Sequence, residues 1–231
     1  SRRASKLWFV TKRAQENFTI MLPAAKSNQV YQGVDTSKFY PAASGEKPYD
    51  LLFVGRLSKS KGVDILLEAF KRVSNRFHNA RLAIVGGGKM IETVRASSRQ
   101  NRNIHYLGRV EYDDLPEIYR KSSILVLPSS ESATLSIGSW EEQFGFVLVE
   151  AMASGLAIVA SRSGAIPEIL GPRNILAKPR NVIDLEKGMT FFLANREFID
   201  DVGRSNRQRS MEMFDADRQA RAVYRMIAEV Q

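Results

Sequence analysis

Residues 49–88 read YDLLFVGRLSKSKGVDILLEAFKRVSNRFHNARLAIVGGG, and they decide the fold. The stretch begins with an apolar run over 49–54 and ends with a second over 81–85, and glycine follows each run. Between them, apolar residues recur at helical spacing over 62–77, which predicts a helix with one buried stripe. Short apolar strands joined by a helix are typical of parallel strands buried on both faces.

The same alternation continues toward the end of the chain. Further strands are predicted at 104–107, 123–127, 156–160 and 174–176. Further helices are predicted at 90–98, 114–120, 146–153, 182–194, 197–213 and 217–230. The repetition indicates an α/β domain with a doubly wound, Rossmann-like parallel sheet. Ligands of such sheets bind at the carboxyl ends of the strands, so a site is expected in the loops that follow strands.

The first part of the chain follows a different pattern. Its predicted elements are a strand at 6–10, a helix at 12–22 and a strand at 28–31, followed by a linker at 42–48. One strand–helix–strand unit is too small to bury its own core. We therefore expect residues 1–47 to be the tail of a preceding domain with its linker, and residues 48–231 to be the main domain.

Composition argues against several kinds of site. The chain has 231 residues, no cysteine, and two histidines that lie far apart in sequence. The lack of cysteine excludes disulfides, thiolate metal ligands and cysteine nucleophiles, and the histidine spacing argues against a zinc site. No apolar run approaches the roughly 20 residues that span a bilayer, and no signal-peptide core is present. We expect a cytoplasmic protein without a bound metal.

The net charge of +9 allows several partners. It is compatible with a solvated basic surface, a phosphorylated ligand, nucleic acid, or peripheral contact with an anionic membrane, which would be the inner membrane face. The basic residues are spread along the chain and are not interleaved with aromatic residues. We therefore expect no nucleic-acid partner.

The loop after the first strand contains a candidate phosphate site. Gly55 lets the backbone approach a ligand, and the helix that follows presents free amides to an anion. Arg56 offers two donors to phosphate oxygens and Lys61 adds a point charge. On these residues alone, a pyrophosphate clamp and an ordinary basic turn are equally good explanations. The three glycines at 86–88 lack the G-x-G-x-x-G spacing, so a tight turn explains them better than a phosphate loop does.

The segment 142–155 reads EQFGFVLVEAMASG, with seven residues between Glu142 and Glu150. In an unbroken helix these carboxylates would lie about 12 Å apart. Glycosidase pairs lie about 5 to 9.5 Å apart, so the spacing suits two parts of one long ligand. Gly145 marks a place where the backbone can approach that ligand. On these residues alone, two exposed glutamates on an amphipathic helix are the simpler explanation.

Six motifs in chain order resemble the large E-x7-E family of retaining GT-B glycosyltransferases, glycosyl transferases group 1. The glutamate pair is the most specific of them. The others are Q-G-V-D with F-x-P at 32–41, G-R-L with K-G at 55–62, L-G-R-V at 107–110, P-S at 128–129 and S-G-A-I-P-E at 163–168, which resembles a turn of the family. Two features depart from the family pattern. Gln32 replaces its usual Asn, and the Ser-rich loop 129–141 is longer than usual. That loop is either a flexible surface excursion or a flap that contacts donor or acceptor.

The resemblance implies a role for each candidate residue. Arg56 and Lys61 would neutralise the leaving diphosphate, and Glu142 would contact the donor sugar, which makes these three the catalytic residues. Glu150 would hold the ribose hydroxyls. The remaining binding residues would act mostly through their backbone: Gly55 at the phosphate, Phe144, Gly145, Phe146 and Val147 at the sugar or phosphate, and Gly86, Gly87, Arg109 and Val110 at the base. No cofactor is expected, because cations and a helix N-terminus stabilise the developing charge.

The resemblance also implies a function. The chain would be the donor-binding part of a hexosyltransferase-type enzyme that moves a sugar from a nucleotide-diphosphate-sugar to an unidentified acceptor, with retention of configuration, in polysaccharide or glycoconjugate biosynthesis. The acceptor-side domain would be missing, and residues 215–231 would form a helix that packs back toward it. A GT-B sugar-nucleotide epimerase and a non-catalytic nucleotide or nucleic-acid-binding module are the alternatives. The complete set of charged candidates favours the transferase.

Overall fold

The computed structural model describes residues 7–21, 27–43, 45, 47–130, 132–133 and 139–229. In chain order its strands are β1 (Leu7–Phe9), β2 (Ser27–Gln29), β3 (Tyr49–Val54), β4 (Leu82–Val85), β5 (Ile104–Gly108), β6 (Ser122–Leu127), β7 (Ser132–Ala133), β8 (Ser139–Trp140), β9 (Ala157–Ser161) and β10 (Ile175–Ala177). Six of them form one sheet in the order β10-β9-β6-β3-β4-β5, and every neighbouring pair is parallel. The predicted doubly wound α/β sheet is confirmed.

The predicted helices are also present. They are α1 (Lys12–Met21), α2 (Val63–Arg76), α3 (Ile91–Gln100), α4 (Leu115–Arg120), α5 (Phe146–Ala153), α7 (Val182–Ala194), α8 (Arg196–Met213) and α9 (Ala216–Ala228), with α6 (Ile166–Leu170) between α5 and α7. The short helix α6 was not predicted, because its segment was interpreted as a turn. No helix in the described part of the chain is both long enough and apolar enough to cross a membrane.

The core lies on both faces of the sheet. All residues of β6 and β9 are buried, as expected of central parallel strands covered on both sides. Helix α2 buries its predicted apolar stripe and packs against α7, while α5 packs against α8. The loops at the carboxyl ends of the strands are thereby held on a rigid scaffold.

The strand order reverses between β3 and β6. The chain runs from β3 through β4 to the edge strand β5, then crosses back and places β6 on the other side of β3. Such a reversal opens a crevice at the carboxyl ends of the two strands, where ligands of open α/β sheets bind. The loop 55–62 follows β3 and the segment 128–130 follows β6, so both candidate segments border this crevice.

The N-terminal residues form a separate small unit and then join the main core. Strands β1 and β2 pair in parallel, as the predicted strand–helix–strand unit requires. Val34 and Phe39 are buried in the main core, and the Val34 amide donates to the Phe214 carbonyl at 2.7 Å. The domain division at residue 48 stays a prediction, but this packing adds the segment around Val34 and Phe39 to the core of the main domain.

The loop 129–141 and the helix α9 carry two predictions that stay open. Within the loop, β7 and β8 pair as a short antiparallel hairpin, whereas 131 and 134–138 lie outside the described residues. Ser129 and Ser130 at its start are buried, so the loop leaves from the interior. Helix α9 buries none of its residues, and Tyr224 is 75% exposed. Its predicted packing toward another domain is untested.

Candidate functional site

The loops after β3 and β4 form one continuous backbone surface. The Gly55 amide donates to the Val85 carbonyl at 3.0 Å, and the Leu57 amide donates to the Gly87 carbonyl at 2.9 Å. Gly86 has a φ of +138°, and a Cβ added there would collide with the Gly55 carbonyl oxygen. A side chain at residue 86 would therefore separate the two loops, which is the physical reason for glycine at this position.

The loop after β5 joins this surface. The Gly86 amide donates to the Gly108 carbonyl at 2.7 Å, and the Tyr106 hydroxyl donates to the Gly86 carbonyl at 3.0 Å. Arg109 is exposed, and its guanidinium lies so close to Gly87 that a Cβ there would collide with it. The predicted base-pocket residues, including the half-buried Val110, thus lie on neighbouring loops at one edge of the sheet.

Lys61 and Glu142 meet where the strand order reverses. The Lys61 ammonium forms an ion pair with the Glu142 carboxylate, and the Ser129 hydroxyl donates to the same carboxylate at 3.1 Å. The Lys61 side chain is 17% exposed and that of Glu142 is 9% exposed. The sequence predicted both residues in the site but not their pairing, because 81 residues separate them along the chain.

The backbone around Lys61 explains this geometry. Lys61 ends a short 3-10 turn, and Gly62 follows in the left-handed region with a φ of +68°. A Cβ on Gly62 would collide with the Pro128 carbonyl oxygen, so the loops after β3 and β6 touch through their backbones. The Ser130 amide also donates to the Ser60 carbonyl at 2.9 Å. The two loops that border the crevice are therefore fixed to each other.

A third loop holds the backbone of Glu142. The Glu142 carbonyl accepts a hydrogen bond of 2.9 Å from the amide of Ala165, which lies in the segment after β9. Gly164 has a φ of +52° and lies so close that a Cβ there would collide with the Glu142 main chain. The S-G-A-I-P-E segment, interpreted from sequence as a turn, thus supports Glu142 from behind and continues into α6.

Helix α5 begins at Phe146, as predicted for 146–153, so Glu142 precedes the helix and the 12 Å separation of an unbroken helix does not apply to the glutamate pair. Gly145 breaks it with a φ of +81° and ψ of 72°, and the first helical residue is Phe146. The amides of Phe146 and Val147 lie in the first turn, where helix geometry supplies no intrahelical partner. Phe144 is buried, and its ring lies 5.4 Å from that of the half-exposed Phe146. The helix N-terminus is thus anchored by one aromatic residue and bordered by another.

Glu150 lies inside α5 as a buried carboxylate. It is 4% exposed, and the Tyr119 hydroxyl donates to its Oε2 atom at 2.8 Å. Burial raises the pKa of Glu150, and the hydrogen bond from Tyr119 partly offsets this. Burial and the charge of Glu150 raise the pKa of Tyr119 well above its ordinary value. Because Glu142 and Glu150 are both buried, the simpler explanation of two exposed helix glutamates is wrong.

Arg56 differs from Lys61 in its surroundings. Its side chain is exposed, and within the described part of the chain it has no ion pair or side-chain hydrogen bond. Its predicted phosphate contact is untested by this geometry. The described residues also contain no cluster of three His, Asp or Glu side chains suited to a metal ion. A surface pocket of about 870 Å³ lies away from these loops and is lined mainly by residues of α2 and α3.

Comparison with known proteins identifies the family. Residues 36–209 match the family model described as glycosyl transferases group 1. The chain belongs to this glycosyltransferase family. A sulfoquinovosyl transferase of Arabidopsis thaliana is 30% identical over 233 residues, which cover 92% of this chain and 42% of that protein. A GDP-mannose-dependent alpha-(1-6)-phosphatidylinositol monomannoside mannosyltransferase of Mycobacterium tuberculosis is 27% identical over 219 residues, covering 83% and 56% respectively.

Solved structures of GT-B glycosyltransferases share the fold of this group 1 chain. Sucrose-phosphate synthase from Thermosynechococcus elongatus superposes with a TM-score of 0.84 at 20% identity, over 99% of this chain and 59% of that one. Anabaena Alr3699/HepE in complex with UDP-glucose superposes with a TM-score of 0.81 at 18% identity, over 99% and 65%. The chain spans about half the length of the curated relatives it matches.

Proposed function

We propose that this glycosyltransferase chain binds a nucleotide-diphosphate-sugar donor and contributes to a transfer that retains the anomeric configuration. The observation that carries the proposal is the position of the Lys61–Glu142 pair. It lies at the reversal of strand order, close in sequence to the N-terminus of α5. A cation, a carboxylate and free helix amides at such a crevice suit a ligand that combines sugar and diphosphate.

In the proposed transfer, each of these groups has a different role. When the bond from the anomeric carbon to the diphosphate oxygen breaks, negative charge grows on the diphosphate. The acceptor oxygen bonds to that carbon, and its proton passes to the leaving diphosphate. Arg56, Lys61 and the amides of Phe146 and Val147 would stabilise this charge without a metal or other cofactor. Glu142 would contact the sugar. Retention requires the acceptor to arrive on the face that the diphosphate leaves.

The nucleoside end of the donor would lie on the other loops. Glu150 would bind the ribose hydroxyls, with one carboxylate oxygen already oriented by Tyr119. The backbone of Gly86 and Gly87, together with Arg109 and Val110, would border the base. Similar proteins differ in donor: Alr3699/HepE is bound to UDP-glucose, and the mycobacterial relative is named GDP-mannose-dependent. We therefore propose the nucleotide-sugar class and no particular base.

The acceptor side is proposed to lie elsewhere. We propose that residues 1–47 end an acceptor-side domain, because the curated relatives are about twice as long as this chain. Peripheral contact with an anionic membrane is part of this proposal. It is supported by the charge of +9 and by the phosphatidylinositol-linked acceptor in the name of one relative.

Calorimetry with the 231-residue chain tests the donor site directly. UDP, GDP and ADP are each titrated with and without EDTA, and at least one should bind equally well in both conditions. Glu117→Gln, on the exposed surface of α4, is the control and should bind the same nucleotide unchanged. Absence of binding for all three nucleotides, or strict dependence on magnesium, would overturn the proposal.

A further inference from the structure

Helix α1 directs its N-terminus at a carboxylate of the main domain. The Lys12 amide donates to Glu168 Oε1 at 2.7 Å, and the Arg13 amide donates to Glu168 Oε2 at 3.1 Å. The first amides of a helix have no intrahelical partner, and a carboxylate beside them is favoured by the helix dipole. The Tyr31 hydroxyl is hydrogen-bonded to the same carboxylate, and burial together with this contact raises the pKa of Tyr31 to about 12. Glu168 therefore connects α1 with the segment that follows β2.

Two side chains of α1 contact a second carboxylate of the main domain, that of Glu141. Arg13 contacts Glu141 through Nε at 3.3 Å and Nη2 at 3.5 Å, and Asn17 Nδ2 contacts it at 3.4 Å. Glu141 is only 8% exposed, whereas half of the Arg13 side chain is exposed. A surface ion pair contributes little by itself, but a buried carboxylate that loses its cation is costly. Loss of this ion pair should therefore be costly mainly because Glu141 would stay buried without its cation.

Both carboxylates belong to segments that hold Glu142. Glu141 is its neighbour in the chain, yet it binds α1 while Glu142 binds Lys61. Glu168 lies in α6, three residues after Ala165, whose amide donates to the Glu142 carbonyl. Helix α1 therefore contacts the segment that carries Glu142 and also the segment that supports it from behind.

We propose that Glu141 and Glu168 are positioning residues that clamp α1 onto the loop of Glu142 and so fix the direction of the Glu142 carboxylate. This inference rests on the proposed donor site, in which Glu142 contacts the sugar. The clamp would make recognition of the sugar depend on where the N-terminal unit sits. Recognition of the nucleotide would not depend on it, because neither Glu150 in α5 nor the Gly86 loop takes part in these contacts.

Two measurements on the 231-residue chain test the clamp and its consequence. Amide hydrogen exchange followed by NMR reports the clamp itself: in Glu168→Gln, exchange at Lys12 and Arg13 should be roughly tenfold faster, the size of one hydrogen bond to a charged group. Calorimetry with UDP and UDP-glucose, or with GDP and GDP-mannose, reports the consequence. Glu141→Gln and Glu168→Gln should weaken binding of the nucleotide sugar roughly threefold or more and leave the nucleoside diphosphate within about twofold.

A double-mutant cycle between Arg13 and Glu141 keeps the test valid if one of the variants folds poorly. Arg13→Ala changes an exposed side chain and should reproduce the effect of Glu141→Gln, and the double variant should be no worse than either single one. Glu117→Gln, which removes a carboxylate from an exposed pair on α4, is the matched control and should change neither readout.

The outcomes separate the two proposals. Unchanged exchange at Lys12 and Arg13 in folded Glu168→Gln overturns the clamp. Faster exchange with an unaltered preference between nucleotide sugar and nucleoside diphosphate overturns the positioning role. If the unmodified chain binds none of the nucleotides, the proposed donor site fails, and with it the positioning role, while the exchange data still decide whether α1 is clamped.

Discussion

Glu150 is buried beside a hydroxyl rather than beside a cation, and its pKa is raised mainly by that burial. Because the folded protein then holds a proton more tightly than the unfolded chain, this group's contribution to stability is present at low pH. It is lost as the pH rises through the folded-state pKa. We expect Glu150→Gln to raise the free energy of unfolding near pH 7, because the amide carries no charge that burial penalises. Near pH 4 the change should be much smaller. Thermal unfolding at both pH values measures it.

The same variant should lose part of the donor site. Glu150→Gln should weaken nucleoside diphosphate binding about tenfold, since a ribose hydroxyl loses a charged acceptor. Glu142→Gln is the contrast: it should leave nucleoside diphosphate affinity nearly unchanged, because its proposed partner is the sugar. Equal weakening by both variants would contradict the assigned roles. A Glu150→Gln protein that is less stable near pH 7 would contradict the pH argument.

Alanine substitutions at Lys61 and Arg56 should both weaken diphosphate binding, but only the one at Lys61 should lower the free energy of unfolding. Arg56→Ala should weaken binding of a nucleoside diphosphate by about 1.5–3 kcal/mol, with nucleoside binding and the free energy of unfolding unchanged, because the side chain is exposed. Lys61→Ala should weaken the same binding and also lower the free energy of unfolding by about 3 kcal/mol, since it leaves Glu142 buried without its cation. Calorimetry and chemical denaturation measure the two effects.

The double variant Lys61→Ala with Glu142→Gln supplies the control for that pair. It removes the uncompensated charge and should recover most of the lost stability while binding stays weak. If Lys61→Ala is as stable as the unmodified chain, the pair contributes nothing to folding. If nucleoside and nucleoside diphosphate affinities change equally in both single variants, the diphosphate is bound elsewhere.

At the scale of elements, alanine substitutions at two glycines with similar φ angles test the packing of the turn after β9. Gly164 and Gly108 have φ angles of +52° and +73°, so alanine at either costs about 1–2 kcal/mol of left-handed strain. A Cβ at Gly164 would also collide with the Glu142 main chain, whereas one at Gly108 would meet no atom within 4 Å. Gly164→Ala should therefore destabilise the fold clearly more than Gly108→Ala. Equal free energies of unfolding in denaturant titrations would show that the contact with Glu142 is not tight.

Local sequence predicted the elements well and their contacts poorly. Apolar periodicity is set by the burial of each face, so β3, α2 and β9 were predicted almost to the residue. Helix α6 was missed because it has only five residues, begins shortly after Gly164 and has Pro167 in its first turn, so its sequence resembles a loop. The Lys61–Glu142, Tyr119–Glu150 and Arg13–Glu141 contacts join residues far apart in the chain, and no local pattern encodes them.

At the scale of the whole molecule, the two ends of the chain differ in how they pack. The N-terminal helix α1 is bound to Glu141 and Glu168. Helix α9 is anchored by its N-cap Asp215, which also forms an isolated β-bridge with Val34, but α9 buries no residue of its own. Tyr224 and Ile227 are among its most exposed apolar side chains. An apolar face of this kind fits the prediction that residues 215–231 pack toward a further domain.

The last prediction concerns what the chain does alone. It should bind the matched nucleoside diphosphate but form no transfer product from a donor and acceptor, because we propose that the acceptor binds to another domain. The measurement compares product formation by this chain with that by a longer protein that also carries the proposed acceptor-side domain, at equal donor occupancy. Replacing Tyr224 and Ile227 by Ser should change the chain's free energy of unfolding by less than about 0.5 kcal/mol. The same change should lower turnover of the longer protein, whose α9 would lose its apolar partner. Transfer by the chain alone would refute the division of labour, and equal turnover with and without the α9 change would refute the packing of α9.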